Sequence, residues 1–288
     1  MLIKIHASAI HPSDILNLKC AFALTSFPRV PGRDYAGTVV EGSAEWVGKE
    51  VYGTSGYTQA FSVDGAQAEF MLIPENAVAV KPSNVSLAQA AVIGVPFTTA
   101  ALTLRRASCK AGDVVLILGT NGAVGSAAVQ VARSMGCRVL SATRSDGEDV
   151  NTAKDPELAA VDALTGGKGV DVVIDTVGQP ALTRAAVLKL GRGGRLAFIA
   201  APRTGASDLQ IGMLDFYREE KTVVGCNTLH YSAEECAVLL RDMTMGFERV
   251  NLKAAEVGEW TEVRLEDGVV VYKKAQQRGA GKFVFVME

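Results

Sequence analysis

The chain of 288 residues is poor in cysteine and has no closely spaced cysteine pair. Its five cysteines, Cys20, Cys109, Cys137, Cys226 and Cys236, are scattered and form no C-x-x-C motif. An odd, dispersed set argues against a disulfide-stapled secreted scaffold and is typical of reduced thiols in a cytosolic protein. We therefore expect a cytoplasmic location.

An excess of charge and long apolar runs are also missing. Lysine and arginine total 29 against 31 aspartates and glutamates, which leaves a net charge of −2. This balance argues against nucleic acid or an anionic membrane as the main partner. No apolar run reaches membrane-spanning length, and residues 1–6 alternate like a strand rather than a signal peptide. With 48% hydrophobic residues, the composition is that of an ordinary globular protein with no nucleic-acid or membrane partner.

The pattern of apolar residues divides the chain into two regions, as expected for a length that exceeds one core. Up to about residue 95, short alternating runs between Gly, Pro and Ser turns predict a β-rich region. Beyond it, strands alternate with helices, which indicates a parallel sheet. Strands are predicted at 114–118, 138–143, 171–176, 195–200 and 222–226, and helices at 124–135, 156–164, 180–190 and 233–243. A last strand at 282–287 is expected to rejoin the β-rich region.

A glycine-rich turn joins the first of these strands to a helix. Gly119, Gly122 and Gly125 follow a buried apolar run and precede a helical pattern. Glycines let the backbone approach a pyrophosphate, and a helix N-terminus offers it free N–H groups and a positive dipole. The spacing differs from G-x-G-x-x-G, so the motif alone leaves open an ordinary glycine turn. Its strand–turn–helix context favours a dinucleotide site.

The end of the next strand indicates which dinucleotide binds. Thr143, Arg144 and Ser145 stand there, where an NAD-specific site places an acid on the ribose 2′-hydroxyl. A guanidinium fork with hydroxyls beside it suits a 2′-phosphate instead. A solvated surface arginine is the alternative. The pattern favours NADPH.

Seven segments occur in the order of the motifs of one protein family. They lie at residues 7–14, 30–40, 65–70, 98–100, 166–178, 191–196 and 281–284, and include ASAIHPSD, VPGRDYAGTVV and GGKGVDVVIDTVG. Each alone is common, but their shared order is specific. The chain resembles the medium-chain dehydrogenase/reductase superfamily, in its zinc-independent quinone oxidoreductase branch.

This resemblance implies an α/β fold with a Rossmann doubly wound parallel sheet inserted into a GroES-like β-rich domain. The expected boundaries are 1–95 and 244–288 for the GroES-like domain and 96–243 for the Rossmann domain. The resemblance also implies NADPH in the cleft between them and usually a homodimer. The cofactor-binding residues that it implies are Thr99, Gly119, Asn121, Gly122, Ala123, Val124, Gly125, Thr143, Arg144, Ser145, Val177, Phe198, Ile199, Ala200 and Lys282.

Two features depart from the family pattern. Relatives carry a further β-hairpin before the first strand of this chain, and a helix where residues 145–148 stand. The link from Arg144 to the next expected strand is therefore very short, whereas a parallel crossover normally needs a dozen or more residues. Either that strand does not join the sheet in parallel, or the chain is a trimmed form. Without the helix we expect Val139 or Val150 to be exposed.

Zinc ligands are also lacking. Zinc-dependent members of the superfamily carry Cys at the position of His11 and His-Glu at the positions of Arg33 and Asp34. A catalytic zinc needs three protein ligands and an open position, and residues 94–96 (Gly-Val-Pro) offer no third ligand. Residues 48–70 contain no cysteine, so the four-cysteine lobe is absent. We expect no bound metal.

The candidate catalytic residues are His11, Ser13 and Tyr57. Hydride transfer needs a positioned electrophile and stabilisation of the developing negative oxygen. An enolate or hydroquinone oxygen is a milder anion than an alkoxide, so weak donors can replace zinc. Ser13 stands where zinc-dependent relatives use a hydroxyl for proton relay, and Tyr57 lies in a Gly/Ser-rich loop. A turn serine and a loop tyrosine are also ordinary, and water is another proton source.

We therefore expect a zinc-free oxidoreductase that transfers a hydride from NADPH to a quinone or α,β-unsaturated carbonyl. Two alternatives stay open. One is a non-catalytic NADPH-binding or structural paralogue, and the other is an enoyl reductase of a biosynthetic pathway.

Overall fold

The computed structural model describes residues 1–256, 258–277 and 279–287. The chain divides into two units. Unit 1 is residues 1–98 with the segment from Thr228 onward, and unit 2 is Thr99–Asn227.

The elements are numbered in chain order. The first segment contains β1 (Leu2–Ile10), α1 (Pro12–Leu18), β2 (Asp34–Glu41), β3 (Glu50–Thr54), β4 (Phe70–Leu72), β5 (Ala79–Val80), α2 (Leu87–Ala90) and α3 (Gly94–Arg106), which runs on into unit 2. Unit 2 continues with β6 (Val114–Leu118), α4 (Ala123–Ser134), β7 (Arg138–Thr143), β8 (Val150–Asn151), α5 (Ala160–Thr165), β9 (Val170–Asp175), α6 (Pro180–Leu188), β10 (Leu190–Phe198), α7 (Met213–Arg218) and β11 (Thr222–Gly225). The last segment contains α8 (Ala233–Glu248), β12 (Thr261–Arg264), α9 (Gly268–Ala275) and β13 (Phe283–Val286).

Unit 1 is built on a seven-stranded sheet with the order β12-β13-β1-β2-β3-β5, in which β4 also pairs with β1. Strand β1 alternates, so Ile3 and Ile5 are fully buried on one face and pack with Tyr35 and Phe285 in the core. Strand β13 pairs antiparallel with β1. The expectation that the last strand rejoins the β-rich region is therefore confirmed.

Helix α8 belongs to unit 1, so the unit boundary at Asn227 differs from the expected one at 243/244. The Tyr52 hydroxyl donates to the Leu240 carbonyl at 3.0 Å. The Arg241 guanidinium donates to the Val78 carbonyl at 3.0 Å. These contacts join α8 to the β-rich sheet across more than 160 residues, a pairing that no local pattern reveals.

Unit 2 is a six-stranded parallel sheet with the order β11-β10-β9-β6-β7-β8. This is the doubly wound Rossmann arrangement, and the strand order reverses between the adjacent parallel strands β6 and β9. Val115, Leu116, Ile117 and Leu118 of β6 are all fully buried, because central parallel strands are covered on both faces. The reversal opens a crevice at the carboxyl ends of β6 and β9, where ligands bind in such sheets.

Strand β8 pairs with β7 in parallel despite the short link. The first alternative, that this strand does not join the sheet in parallel, is therefore wrong. Only two residue pairs form, Ala142 with Val150 and Thr143 with Asn151. Because β8 pairs only with the last two residues of β7, the loop of residues 144–149 is long enough to connect the two strands. Upstream of this pairing, the Asp149 carboxylate accepts hydrogen bonds from the Ser141 N–H and hydroxyl, both at 2.8 Å.

The expected exposure of Val139 or Val150 is also wrong, because neither residue is exposed. Val150 is buried and packs with Leu140 and Leu158, whereas Val139 is half-buried. The segment after β8 covers this end of the sheet, although no helix joins β7 to β8.

Contrary to the expectation that no apolar run reaches membrane-spanning length, residues Leu87–Arg106 are long and apolar enough to cross a membrane by length and composition. Of an 18-residue window within this stretch, 72% is buried inside the protein. Core helices of globular proteins share this composition, and we interpret the stretch in this way.

Candidate functional site

The glycine turn between β6 and α4 is tightly packed. Gly119 has a φ of +84°, and a Cβ there would lie 2.6 Å from the Thr176 hydroxyl oxygen. A Cβ on Gly125 would lie 2.2 Å from the Gly119 carbonyl oxygen. The first glycine thus permits the turn, and the last lets α4 approach the strand end.

The N-terminus of α4 has no side-chain cap. Gly122 is the N-cap residue and makes no side-chain hydrogen bond. The N–H groups of the first turn, on Ala123, Val124 and Gly125, have no acceptor within a helix. With the helix dipole, they form a site for an anion such as a pyrophosphate.

A cavity of about 1010 Å³ opens beside this turn, entirely within unit 2. Seven of the predicted cofactor residues line it: Gly119, Asn121, Gly122, Thr143, Arg144, Ser145 and Val177. The sequence prediction missed further lining residues: Thr152, Ala153, Pro156, Glu157, Thr176, Gln179, Ala181 and Leu182. Thr152 to Glu157 follow β8, so the segment after the short link supplies part of the wall.

Polar groups meet where the ends of β6 and β7 come together. The Asn121 amide donates to the Ser145 hydroxyl at 2.7 Å, and the Thr143 and Ser145 hydroxyls lie 3.4 Å apart. Arg144 is exposed, and its guanidinium makes no ion pair or hydrogen bond with another described residue. Gly122, the N-cap residue of α4, and this guanidinium line one cavity, which fits a dinucleotide that carries an additional phosphate.

Asp175, at the end of β9, organises the neighbouring turn and was not singled out from the sequence as a site residue. It is fully buried. Its carboxylate accepts the Val177 and Gly178 N–H groups at 2.8 and 2.9 Å and the Thr183 hydroxyl at 2.6 Å. The family-like D-T-V-G motif could have revealed it, because an acid directly before a turn caps the turn's N–H groups.

The other eight predicted cofactor residues are not among those that line this cavity. Ala123, Val124 and Gly125 form the first turn of α4, directly after the lining residue Gly122. The Ile199 N–H donates to the Asp175 carbonyl at 3.1 Å, and a Cβ on Gly178 would lie 2.1 Å from the Ala200 carbonyl oxygen. Residues 198–200 therefore run beside Val177. Thr99 is buried in α3, and Lys282 lies in unit 1, paired with Glu259. The cofactor roles of Thr99 and Lys282 stay predictions.

A buried polar cluster in unit 1 surrounds two of the three candidate catalytic residues. The His11 Nε2 lies 2.7 Å from the Asp34 carboxylate, and both side chains are at most 2% exposed. The same carboxylate oxygen accepts the Val95 N–H at 2.6 Å. A Cβ on Gly94 would lie 2.6 Å from the other oxygen, so this glycine is needed where α3 begins against Asp34.

Arg33 links Ser13 to this cluster. Its guanidinium donates to the Ser13 hydroxyl at 3.2 Å and to the Ser55 hydroxyl at 2.9 Å. Helix α1, which the sequence patterns did not predict, begins after His11, and the Asp14 carboxylate accepts the His11 N–H at 2.7 Å. Tyr57 is 44% exposed, and within the described part of the chain no hydrogen bond joins it to His11 or Ser13.

Burial raises the pKa of several groups near this cluster. Desolvation raises the pKa of the Asp14 carboxyl, although His11 and Arg33 attract its charged form. Burial raises the pKa of the Tyr35 hydroxyl, and the Asp34 charge raises it further. Burial raises the pKa of the Cys236 thiol to about 12. Neither Tyr35 nor Cys236 is therefore ionised at neutral pH.

The residues of this cluster do not fit a catalytic zinc. His11 and Asp34 meet, but Arg33 stands beside them as a cation. Among residues 1–256, 258–277 and 279–287, no group of three or more His, Cys, Asp or Glu side chains could hold a metal. Two candidate ligands fall short of the three that catalytic zinc sites use.

Known proteins resemble the chain in both units. The family description "Alcohol dehydrogenase GroES-like domain" matches residues 1–83, and "Zinc-binding dehydrogenase" matches residues 123–243. A zinc-type alcohol dehydrogenase-like protein of Schizosaccharomyces pombe is 44% identical over 288 residues, which is 100% of this chain and 88% of that protein.

Two further comparisons agree with this. The quinone oxidoreductase of Sus scrofa is 30% identical over 261 residues, covering 86% of this chain and 77% of the pig protein. The crystal structure of an alcohol dehydrogenase superfamily protein from Novosphingobium aromaticivorans superposes with a TM-score of 0.85 at 25% identity, covering 100% of this chain and 91% of that one.

Proposed function

Because this chain belongs to the medium-chain dehydrogenase/reductase superfamily as a quinone oxidoreductase-like protein, we propose that it is a zinc-free, NADPH-dependent reductase of quinones or α,β-unsaturated carbonyls. The observation that carries the cofactor choice is Arg144, which lines the cavity at the end of β7. A bound NADPH supplies the hydride. The residues of the chain bind the cofactor, orient the acceptor and supply the proton.

In this proposal the cofactor phosphates are held by backbone and side-chain groups of unit 2. The first-turn N–H groups of α4 receive the pyrophosphate. The Arg144 guanidinium receives the 2′-phosphate, with the hydroxyls of Thr143 and Ser145 beside it. The Asn121 amide fixes the Ser145 hydroxyl at 2.7 Å and so positions that group in advance.

We assign proton delivery to His11. The Asp34 carboxylate, 2.7 Å from Nε2, holds the imidazole ring in one orientation, as carboxylates do for catalytic histidines. The Arg33 guanidinium donates to the Ser13 hydroxyl at 3.2 Å and so orients that hydroxyl. A conjugated acceptor suits such donors, because its developing enolate or hydroquinone oxygen needs less stabilisation than an alkoxide.

We expect the purified protein to oxidise NADPH when a quinone or an enone is added, and to do so equally well with excess chelator. The assay follows loss of NADPH absorbance across quinones, enones, enoyl thioesters and simple aldehydes. His11→Asn should keep NADPH affinity but lose turnover by roughly 100-fold, the usual contribution of one acid–base group. The matched control, His6→Asn, should behave like the parent, because His6 lies outside the buried cluster and bonds Thr38.

The same assay separates the alternatives. Tight NADPH binding without turnover of any compound supports a non-catalytic paralogue and refutes the proposal. Turnover confined to enoyl thioesters supports an enoyl reductase instead. Loss of turnover with chelator contradicts the zinc-free mechanism, and full turnover by His11→Asn identifies water as the proton source.

We also propose a homodimer that forms through β11. This strand stands at the end of the six-stranded sheet and pairs with β10 on one side, so its other edge carries unpaired backbone groups. Pairing with a second copy across a two-fold axis would cover both edges. Light scattering over a range of dilutions should give the mass of two chains, and a monomer at every concentration would contradict the proposal.

A further inference from the structure

Two cysteines that are far apart in sequence meet at one end of unit 2. Cys109 lies in the loop before β6, and Cys137 lies in the loop before β7. Their sulfur atoms are 3.5 Å apart, and both residues are partly exposed free thiols. The cofactor proposal gives this pair no role, because the cavity lies at the other end of these strands.

The backbone holds the two loops together. The Gly112 N–H donates to the Gly136 carbonyl at 3.0 Å, and the Arg138 N–H donates to the Asp113 carbonyl at 2.9 Å. The Cys137 thiol also donates to the Lys110 carbonyl at 3.3 Å. These hydrogen bonds between the two loops keep the two sulfur atoms close to each other. Small side-chain rotations would bring them to the bonded separation of about 2.05 Å.

The raised pKa of one of the two thiols indicates which of them reacts first. Burial raises the pKa of the Cys109 thiol, and the neighbouring Cys137 thiol raises it further. Thiolates rather than thiols attack disulfides. Cys109 is therefore the poorer first nucleophile, and we assign the first attack to Cys137.

We propose that Cys109 and Cys137 form a modification site for disulfides of the glutathione class, at which the two thiols close to an intramolecular disulfide. The Cys137 thiolate attacks glutathione disulfide, forms a mixed disulfide and releases one glutathione thiolate. Cys109 then loses its proton and attacks the Cys137 sulfur, which releases the second glutathione. The protein loses two protons and two electrons, and one glutathione disulfide takes them up to become two glutathione thiols.

The bridge would stabilise unit 2 without closing its cavity. It would join the loops that precede β6 and β7 and so restrict the unfolded chain between residues 109 and 137. The cavity-lining residues Gly119 and Thr143 stand beyond the opposite ends of those strands. We therefore expect a more stable protein whose nucleotide affinity changes less than twofold. A resting cytosol would keep the pair reduced, and a rise in oxidised glutathione would close it.

The test uses the full chain with Cys20→Ser, which removes the exposed cysteine. The protein is incubated with glutathione mixtures of increasing oxidised fraction and then quenched with acid. Intact mass should show the loss of two hydrogens with no glutathione retained. Peptide mapping without reductant should recover Cys109 linked to Cys137. Melting temperature should rise by roughly 5–10 °C on oxidation, and reductant should reverse it.

Single variants supply the control. In Cys109→Ser, Cys137 should retain one glutathione as a stable mixed disulfide, because the resolving thiol is absent. That variant should show no rise in melting temperature. Retention of glutathione by the parent without a cross-link would overturn the proposal. So would a cross-link that forms only after denaturation, or one that lowers nucleotide affinity tenfold.

Discussion

Replacing Gly125 by alanine is expected to displace helix α4 and to remove most nucleotide binding. The new Cβ would lie 2.2 Å from the Gly119 carbonyl oxygen, 2.7 Å from its carbon and 3.0 Å from the Thr120 Cα. All three are backbone atoms, so no side-chain rotation relieves the overlap. Overpacking of this kind costs about 3 kcal/mol.

The measured result should be a melting temperature lower by roughly 6–12 °C. Affinity for NADPH should fall by roughly 100-fold, because the first-turn N–H groups move away from the phosphates and two charge-assisted hydrogen bonds weaken. Thermal melting and NADPH titration of the folded fraction check the two effects separately.

Gly122→Ala is the matched control for Gly125→Ala. Gly122 has an ordinary negative φ of −78°, and within 4 Å its Cβ would meet only the Gly119 carbonyl oxygen, at 3.2 Å. Alanine is a poorer N-cap than glycine, so stability should fall by about 1 kcal/mol or less. If Gly125→Ala melts and binds like the parent, the close approach of α4 to the glycine turn has no energetic role.

Replacing Arg144 by alanine should weaken NADPH by roughly 10–100-fold and change NADH by less than twofold. A charge-assisted contact contributes about 1.5–3 kcal/mol, and only NADPH carries the phosphate that makes it. The dissociation constants of both cofactors, measured by fluorescence titration, give the ratio directly. Added salt should reduce the preference of the parent protein, because Arg144 is exposed and its charge is screened.

Two variants control for a general loss of the cavity. Arg144→Lys should retain part of the preference, because the charge remains but the guanidinium fork is lost. Glu157→Gln removes the acid that lines the same cavity and should leave NADPH binding unchanged or tighter. Equal loss of both cofactors in Arg144→Ala, or a parent that prefers NADH, would refute the assignment of the 2′-phosphate.

Periodicity and turn chemistry predicted the features that depend on residues close together in the chain. Within about twenty residues the chain passes from the apolar run of strand β6 through the glycine turn to the helical pattern of α4. Periodicity and turn chemistry therefore predicted all three. Arg144 was predicted for the same reason, since it follows directly on the strand that places it. Burial of β6 on both faces also follows from its continuous apolar run.

Contacts between residues far apart in the chain became visible only in the folded structure. Strand register and packing, which no local pattern encodes, bring together His11 with Asp34 and Cys109 with Cys137. They also place α8 against the β-rich sheet. The parallel pairing of β8 could not be read from the length of its link, because two residue pairs at a strand end require no long crossover. Tertiary burial likewise kept Val150 covered where the sequence predicted exposure.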